Sequence, residues 1–447
     1  MMNTPICDFV KKYAEDDKLR LHMPGHKGKS FLGLESLDIT EIDGADVLYN
    51  ARGIIKQSED NAASLFKTEK TVYSCEGSSL AIRAMLNLAL LHAKAIGKRP
   101  IIAAGRNAHK TFLTAAALLD LDVEWIYPKK QESVVCCKMT PDDLEAFLQD
   151  LNELPTAVYI TSPDYLGNMA DIKSLAKVCE KYDVLLLVDN AHGAYLSFLD
   201  KSQHPIALGA HACCDSAHKT LPVLTGGAYL HISPNAPKVF SEQAENAMAL
   251  FASTSPSYLI LQSLDLANKY LAQGYNRRLN SFVLKLDLLK EALAEAGYTL
   301  IGNEPLKLTI SAKPYGYTGD ELAKLLLKEG IVCEFADPDY LVLMLTPEND
   351  DADLSRLKSA LSAIPKKEEF EERPLFKTRP VKKLRPREAM LSPSKKEKVY
   401  NCVGKVLASA NVSCPPAIPI VVCGEVIDEN AITLLNYYGI EECDVVI

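Results

Sequence analysis

Between about residue 71 and residue 232 the chain alternates short apolar runs with longer amphipathic ones, and no other feature constrains its fold as strongly. The short runs are IIAAG (101–105), VEWIY (123–127), AVYITSP (157–163), VLLLVDN (184–190) and GGAYLHI (226–232). Between them, residues 78–98, 110–120, 141–151 and 171–182 combine helical spacing with good helix formers. A strand apolar along its length is covered on both faces, and a helix between two strands is the crossover that parallel pairing requires. The pattern predicts an open α/β domain with a mostly parallel sheet.

Residues 257–296 read as long helices, and 306–364 as strand, helix, strands, helix, a smaller α+β unit. The stretch 365–388 is densely charged without an apolar period and reads as a solvated linker. These breaks divide the chain into an N-terminal arm (1–50), a large domain (51–260), a small α+β domain (261–365) and a C-terminal domain (366–447). The arm contains LHMPGHKGK (21–29), and the tail from 389 reads as one helix and then a proline-rich buried loop, SCPPAIPIVVCGE (413–425).

A net charge of −9 argues against a nucleic-acid partner, since such proteins carry a basic excess. No apolar run reaches the roughly 18 residues of a membrane span. The start lacks the basic-then-apolar pattern of a secretion leader. The 12 cysteines include the adjacent pairs Cys136-Cys137 and Cys213-Cys214 but no CxxC. They read as reduced, mostly buried thiols of a cytoplasmic protein, with no metal site among them.

Ligands of open α/β sheets sit at the carboxyl ends of the strands, which directs attention to the loops after each run. Gly77-Ser78-Ser79 opens a long helix, where free N–H groups and hydroxyls suit a phosphate or make a plain N-cap. Asp189 ends VLLLV; a buried acid there either pairs with a cation or caps a turn. His109 follows IIAAG, as a ligand-stacking ring or an ordinary loop histidine. Lys219, in Ser216-Ala217-His218-Lys219, lies 30 positions after Asp189, as an amine nucleophile or a surface lysine. One ligand reconciles the functional alternatives. Pyridoxal 5′-phosphate (PLP) needs a phosphate cradle, a carboxylate for its ring nitrogen, a flat ring to stack on and a lysine to hold it.

With these residues in view, the chain resembles the Orn/Lys/Arg decarboxylases. DSAHKTLPVLT (215–225) resembles their PLP-attachment motif and is the most specific match. LHMPGHKGK, RNAHKT (106–111), VDNAHGAY (188–195), STSPSYLILQSLD (253–265) and CPPAIPIVVCGE (414–425) match in order, so the resemblance spans roughly residues 20–430. It is similar to the shorter bacterial form of the family.

The resemblance implies a fold type I PLP-dependent transferase-like large domain with a small α+β domain and a C-terminal domain. It makes Lys219 the Schiff-base lysine, Asp189 the partner of the pyridine nitrogen and His109 the stacking ring. Gly77, Ser78 and Ser79 then hold the phosphate, with Ser216 and His218 beside it, and His192 lies near the cofactor's oxygen-bearing face. Lys219 or His218 returns the proton after CO2 leaves. The implied reaction is decarboxylation of arginine, lysine or ornithine to a polyamine-pathway amine, with arginine favoured. A homodimer with a shared site is also implied, with Ser253 or Thr254 reaching the partner's phosphate.

Asp46 and Glu425 are candidates for the substrate's terminal cation, or plain structural ion pairs. The chain departs from the family pattern at Asn190 (usually Glu), Tyr195 (His), Gly226 (Gln), Ala417 (Gly) and Cys423 (Pro). Two alternatives stay open: an aminotransferase or lyase on the same fold and, motivated by these departures, a non-catalytic PLP-binding homologue. No GxGxxG or GxxxxGK[ST] follows a strand, which excludes the usual nucleotide-binding motifs.

Overall fold

Every apolar run of the alternating region forms a strand. The computed structural model describes residues 2–16, 18–127, 136–371, 373–374, 377–410, 413–414 and 418–447. Its strands β1 (Lys70–Ser74), β2 (Ile101–Gly105), β3 (Asp122–Ile126), β4 (Ala157–Thr161), β5 (Leu185–Asp189), β6 (Ala212–Asp215) and β7 (Ala228–Ile232) form one sheet, ordered β1-β7-β6-β5-β4-β2-β3. The strands β2 and β5 are buried at every position, as continuous apolar runs require. Parallel pairing joins β2 to β3 and β5 to β6. The run GGAYLHI supplies β7, which lies antiparallel between β6 and β1.

Two strands are not visible as apolar runs. The sequence KTVYS of β1 opens on two polar residues and ends on a third, and ACCD of β6 is only 4 residues long. Their neighbours in the sheet make them strands.

The arm is not all irregular. Helix α1 (Pro5–Glu15) buries Ile6, Cys7 and Val10. The free N–H groups of Ile6 and Cys7 donate to Asp265 Oδ2 at 3.0 Å each, and Asp265 Oδ1 accepts the Ser58 hydroxyl at 2.6 Å. A buried carboxylate thus satisfies the donors that every helix N-terminus leaves open. Helix α2 (Ile54–Phe66) follows, then α3 (Gly77–Ala95), which buries residues on nearly all sides, and α4 (Lys110–Leu119).

The chain forms two compact units that interleave along the sequence. The first comprises residues 1–100, 153–160 and 172–277; the second comprises 101–152, 161–171 and 278–447. In the second unit β8 (Thr299–Ile301), β9 (Lys307–Ser311), β10 (Phe335–Ala336) and β11 (Tyr340–Met344) form an antiparallel sheet ordered β10-β11-β9-β8. The charged stretch read as a linker is largely exposed but pinned by its cations. Arg373 pairs with buried Asp339 at 3.3 Å, Lys382 Nζ donates to Val123 O at 3.1 Å, and Arg385 pairs with Asp120 and Asp122 at 3.0 Å each. Among the described residues, no helix is long and apolar enough to cross a membrane.

On α2, Glu59 is 2% exposed and accepts the Tyr73 N–H at 2.9 Å. Burial raises its carboxyl to about 8. Folding therefore takes up a proton, so this group's contribution to stability declines as pH rises through the interval between the ordinary carboxylate range and about 8. Glu59→Gln keeps the acceptor and removes the titration. Chemical denaturation should show the variant gaining on the wild type from about pH 5 to about pH 8. A pH-independent difference would remove the buried proton from the account.

Candidate active site

The first unit gathers its chemistry where β5 and β6 end side by side, with Asp189 in register with Cys214. Asp189 is only 3% exposed, so its carboxylate must be satisfied internally. The Tyr159 hydroxyl donates to Oδ2 at 3.1 Å, the Ala191 N–H to Oδ1 at 3.2 Å and the Cys214 thiol to Oδ1 at 3.5 Å. Beyond Asp189 the chain turns, with the Gly193 N–H on Asn190 O at 2.8 Å. That turn carries His192, whose Nε2 lies 3.0 Å from Lys219 Nζ. Lys219 sits half-buried on a short helix, Ala217–Thr220, that begins directly after β6. Beside it, His218 Nδ1 meets Gly227 O at 2.9 Å, and burial pulls its imidazole below the ordinary value.

The hydroxyl of Ser216 donates to Ser78 Oγ at 2.8 Å, joining this helix to the start of α3. Gly77 there has φ +71°, and a Cβ added to it meets nothing within 4 Å. Its N–H donates to Gly226 O at 2.7 Å. The result is an open backbone corner at a helix N-terminus, lined by Ser78, Ser79 and Ser216, which is the donor set a phosphate requires.

Gly226 explains one departure from the family pattern. It holds φ +102°, and a Cβ there would lie 2.8 Å from the Cys75 carbonyl oxygen, so this backbone has no room for a glutamine. Asn190 and Tyr195 are fully buried and Cys423 is 2% exposed; Ala417 lies outside the described residues.

The first unit therefore brings together Gly77, Ser78, Ser79, Asp189, His192, Ser216, His218 and Lys219. His109 belongs to the second unit, where it is half-buried and caps α4, its Nδ1 accepting the Thr111 N–H at 3.2 Å. Ser253 and Thr254 are exposed, and the Ser253 N–H donates to Glu76 Oε1 of its own chain at 2.7 Å.

The two carboxylates considered for the substrate cation are engaged within the chain, Glu425 in an ion pair and Asp46 with backbone donors rather than a cation. Asp46 accepts the N–H groups of Arg52, Gly53 and Ile55 at 2.7–3.0 Å, closing the entry to α2. Glu425, 1% exposed, accepts Arg106 Nη2 at 2.7 Å and the Val422 N–H at 2.8 Å. The Arg106 guanidinium stacks 5.1 Å from the Trp125 ring centroid.

Residues 4–296 match the family described as Orn/Lys/Arg decarboxylase, major domain. The arginine decarboxylase of Bacillus subtilis is 30% identical over 97% of this chain and 93% of its own. The chain belongs to the Orn/Lys/Arg decarboxylase family.

A second B. subtilis relative, the uncharacterized protein YaaO, is 28% identical over 97% of this chain and 94% of its own. The fold is shared with the Francisella novicida lysine decarboxylase LdcF at a TM-score of 0.80 and 17% identity, covering 100% of this chain and 81% of that one. As a member of the Orn/Lys/Arg decarboxylase family the protein is a decarboxylase of basic amino acids, and the family implies PLP. Sequence reading missed Tyr159, Cys214 and Arg106. Tyr159 inside the apolar run AVYIT and Arg106 directly after the run IIAAG were the available signals, and neither names its partner.

Removing Glu425 leaves the Arg106 charge buried and unpaired. Glu425→Ala should cost about 3–5 kcal/mol, and Asp46→Ala, which removes a cap on α2, about 1 kcal/mol. Urea unfolding of the two variants checks the ranking; equal effects would contradict it.

Proposed function

We propose that this protein is a PLP-dependent decarboxylase that acts on arginine in preference to lysine or ornithine and feeds its amine product to the polyamine pathway. The observation that carries the cofactor reading is the Lys219–His192 contact, grouped with the buried, multiply bonded Asp189 and the open corner at Gly77. An amine, a carboxylate and a cluster of donors at a helix N-terminus match the aldehyde, ring nitrogen and phosphate of PLP. The preference for arginine is supported by relatives from Bacillus subtilis and Halalkalibacterium halodurans that are named arginine decarboxylases.

In this reading Lys219 Nζ is the covalent attachment point, and Gly77, Ser78, Ser79 and Ser216 hold the phosphate, with His218 beside them. Asp189 offers its carboxylate to the ring nitrogen. Tyr159 and Cys214 fix its direction by donating to its two oxygens. The family resemblance assigns the stacking ring to His109. When bound, PLP is the electron sink for the pair left behind as CO2 departs. His192 Nε2 is placed to take a proton from Lys219 Nζ, freeing the amine lone pair. Once it has regained that proton from His192, Lys219 Nζ delivers it to the substrate's Cα, with His218 as the neighbouring alternative. Burial lowers the His218 imidazole below its ordinary value and so favours its neutral form. The homodimer with a shared site fits the exposed Leu19, Leu21, Phe31 and Leu32 of the arm and the exposed Thr254.

The purified wild type should be yellow and release CO2 fastest from arginine. Lys219→Ala should lose both the visible band and turnover. Asp189→Asn should keep the band and lose about 10²-fold or more in kcat. Keto-acid formation in place of CO2 points to the aminotransferase alternative. A yellow wild type inert toward all three amino acids points to the non-catalytic one.

A further inference from the structure

Two turns carry the reactive nitrogen atoms. One, after β5, presents His192; the other, after β6, presents Lys219. Their ring and amine nitrogens meet at 3.0 Å. That contact exists only if the turns are held in a fixed relation, and two flexible loop ends do not hold one unaided.

A single residue links them at their roots. Asn190, fully buried, donates its side-chain Nδ2–H to Asp215 Oδ1 at 2.7 Å, and its backbone N–H to Cys214 O at 3.0 Å. Its carbonyl accepts the Gly193 N–H at 2.8 Å, closing the turn around His192. The side chain lies tightly across that turn, and a Cβ on Gly193 would fall 2.1 Å from Asn190 Oδ1. The first turn is therefore shaped around this amide.

Asp215 is the fixed point on the other side. It is fully buried, and its Oδ2 faces His204 Nε2 at 3.0 Å and His231 Nε2 at 3.4 Å, both rings also fully buried. His231 is oriented in turn by Thr71, whose Oγ1 lies 2.8 Å from Nδ1. Burial alone would raise the Asp215 carboxyl, but His204 and then His231 pull it well below the usual carboxylate range. Ser216 follows immediately, and Lys219 N–H donates to Ser216 O at 3.0 Å. An acid at position 190 would set a second carboxyl against Asp215 in a closed interior, which is strongly unfavourable.

We infer that Asn190 is a positioning residue for Lys219: its amide, anchored on Asp215, sets the His192 turn at the distance where His192 meets the lysine amine. The inference rests on the reading of Lys219 as the cofactor lysine. Asn190 acts through the His192 turn and Asp215, to which its own bonds run.

The test uses full-length protein stripped of PLP. The rate at which the visible band grows after PLP is added reports how well Lys219 is placed, and thermal unfolding reports stability separately. Asn190→Ser withdraws the donor with little change to the turn, and Asn190→Asp sets the second carboxyl against Asp215. The double exchange Asn190→Asp with Asp215→Asn restores one amide facing one carboxylate. Because a hydrogen bond to a charged group is worth more than a tenfold rate factor, both single variants should capture PLP about tenfold more slowly while folded, and the exchange should recover to within about threefold of wild type. Recovery by the exchange supports the inference even if Asn190→Asp alone does not fold.

A lower melting temperature for Asn190→Ser with an unchanged capture rate overturns it, because the amide is then merely structural. About one equivalent of bound zinc-class metal in the wild type also overturns it. The ligand atoms of His204, Asp215 and His231 lie within 4.8 Å of one another, and an ion there would fix Asp215 and the turns without the amide. A wild type that takes up no PLP fails earlier, at the cofactor reading itself, and the inference falls with it.

Discussion

Two carboxylates, Asp189 and Asp215, are buried at the ends of two neighbouring strands, and the cost of burying them organises the first unit. Neither is tolerable without donors. Asp189 gathers a tyrosine hydroxyl from β4, a backbone N–H from its own turn and a thiol from β6. Asp215 gathers two imidazoles and the Asn190 amide. Each set of donors ties a strand end to something beyond it. The strand ends are thereby rigid, and the turns that follow inherit their positions from them.

Under the proposed function that rigidity has a chemical use. A group that must hold a cofactor and pass protons has to meet its partners within a few tenths of an ångström. Lys219 and Ser216 stand on the turn after β6, His192 on the turn after β5, and the Gly77 corner at the head of α3. Two short contacts, Lys219–His192 and Ser216–Ser78, join these three places. The second unit shows the same principle serving stability alone: Arg106 and Glu425 neutralise each other inside, with the indole of Trp125 against the guanidinium. One buried acid adjoins reactive groups and the other does not, and sequence motifs do not separate the two cases.

Much of this was legible in the chain. The all-apolar runs at 101–105 and 184–190 mark strands buried on both faces, and the helices between them imply parallel crossovers. Lys219, Asp189 and the Gly77-Ser78-Ser79 corner stood out because each sits just past such a run or at the head of a helix. The strand β6 was not legible, because ACCD has too few side chains for a period and becomes a strand only between β5 and β7. The helix α1 was missed for a related reason. Its open N–H groups are satisfied by Asp265, a residue more than 250 positions away. The departures at 190 and 226 looked like erosion of a motif. In three dimensions Asn190 completes the coordination of Asp215, and Gly226 occupies a backbone corner closed to any side chain.

The sequence by itself determined the fold class and the family and singled out Lys219 as the candidate lysine, because periodicity and motif spacing are local properties that a chain displays before it folds. Tertiary structure decided which acids are catalytic candidates and which are structural, and which residues hold the lysine in place. Those outcomes depend on pairs such as Tyr159 with Asp189, Arg106 with Glu425 and Asn190 with Asp215. The partners are 25 or more positions apart, and each pairing is enforced by the desolvation cost of a buried charge, a cost that arises only once the interior has closed around it.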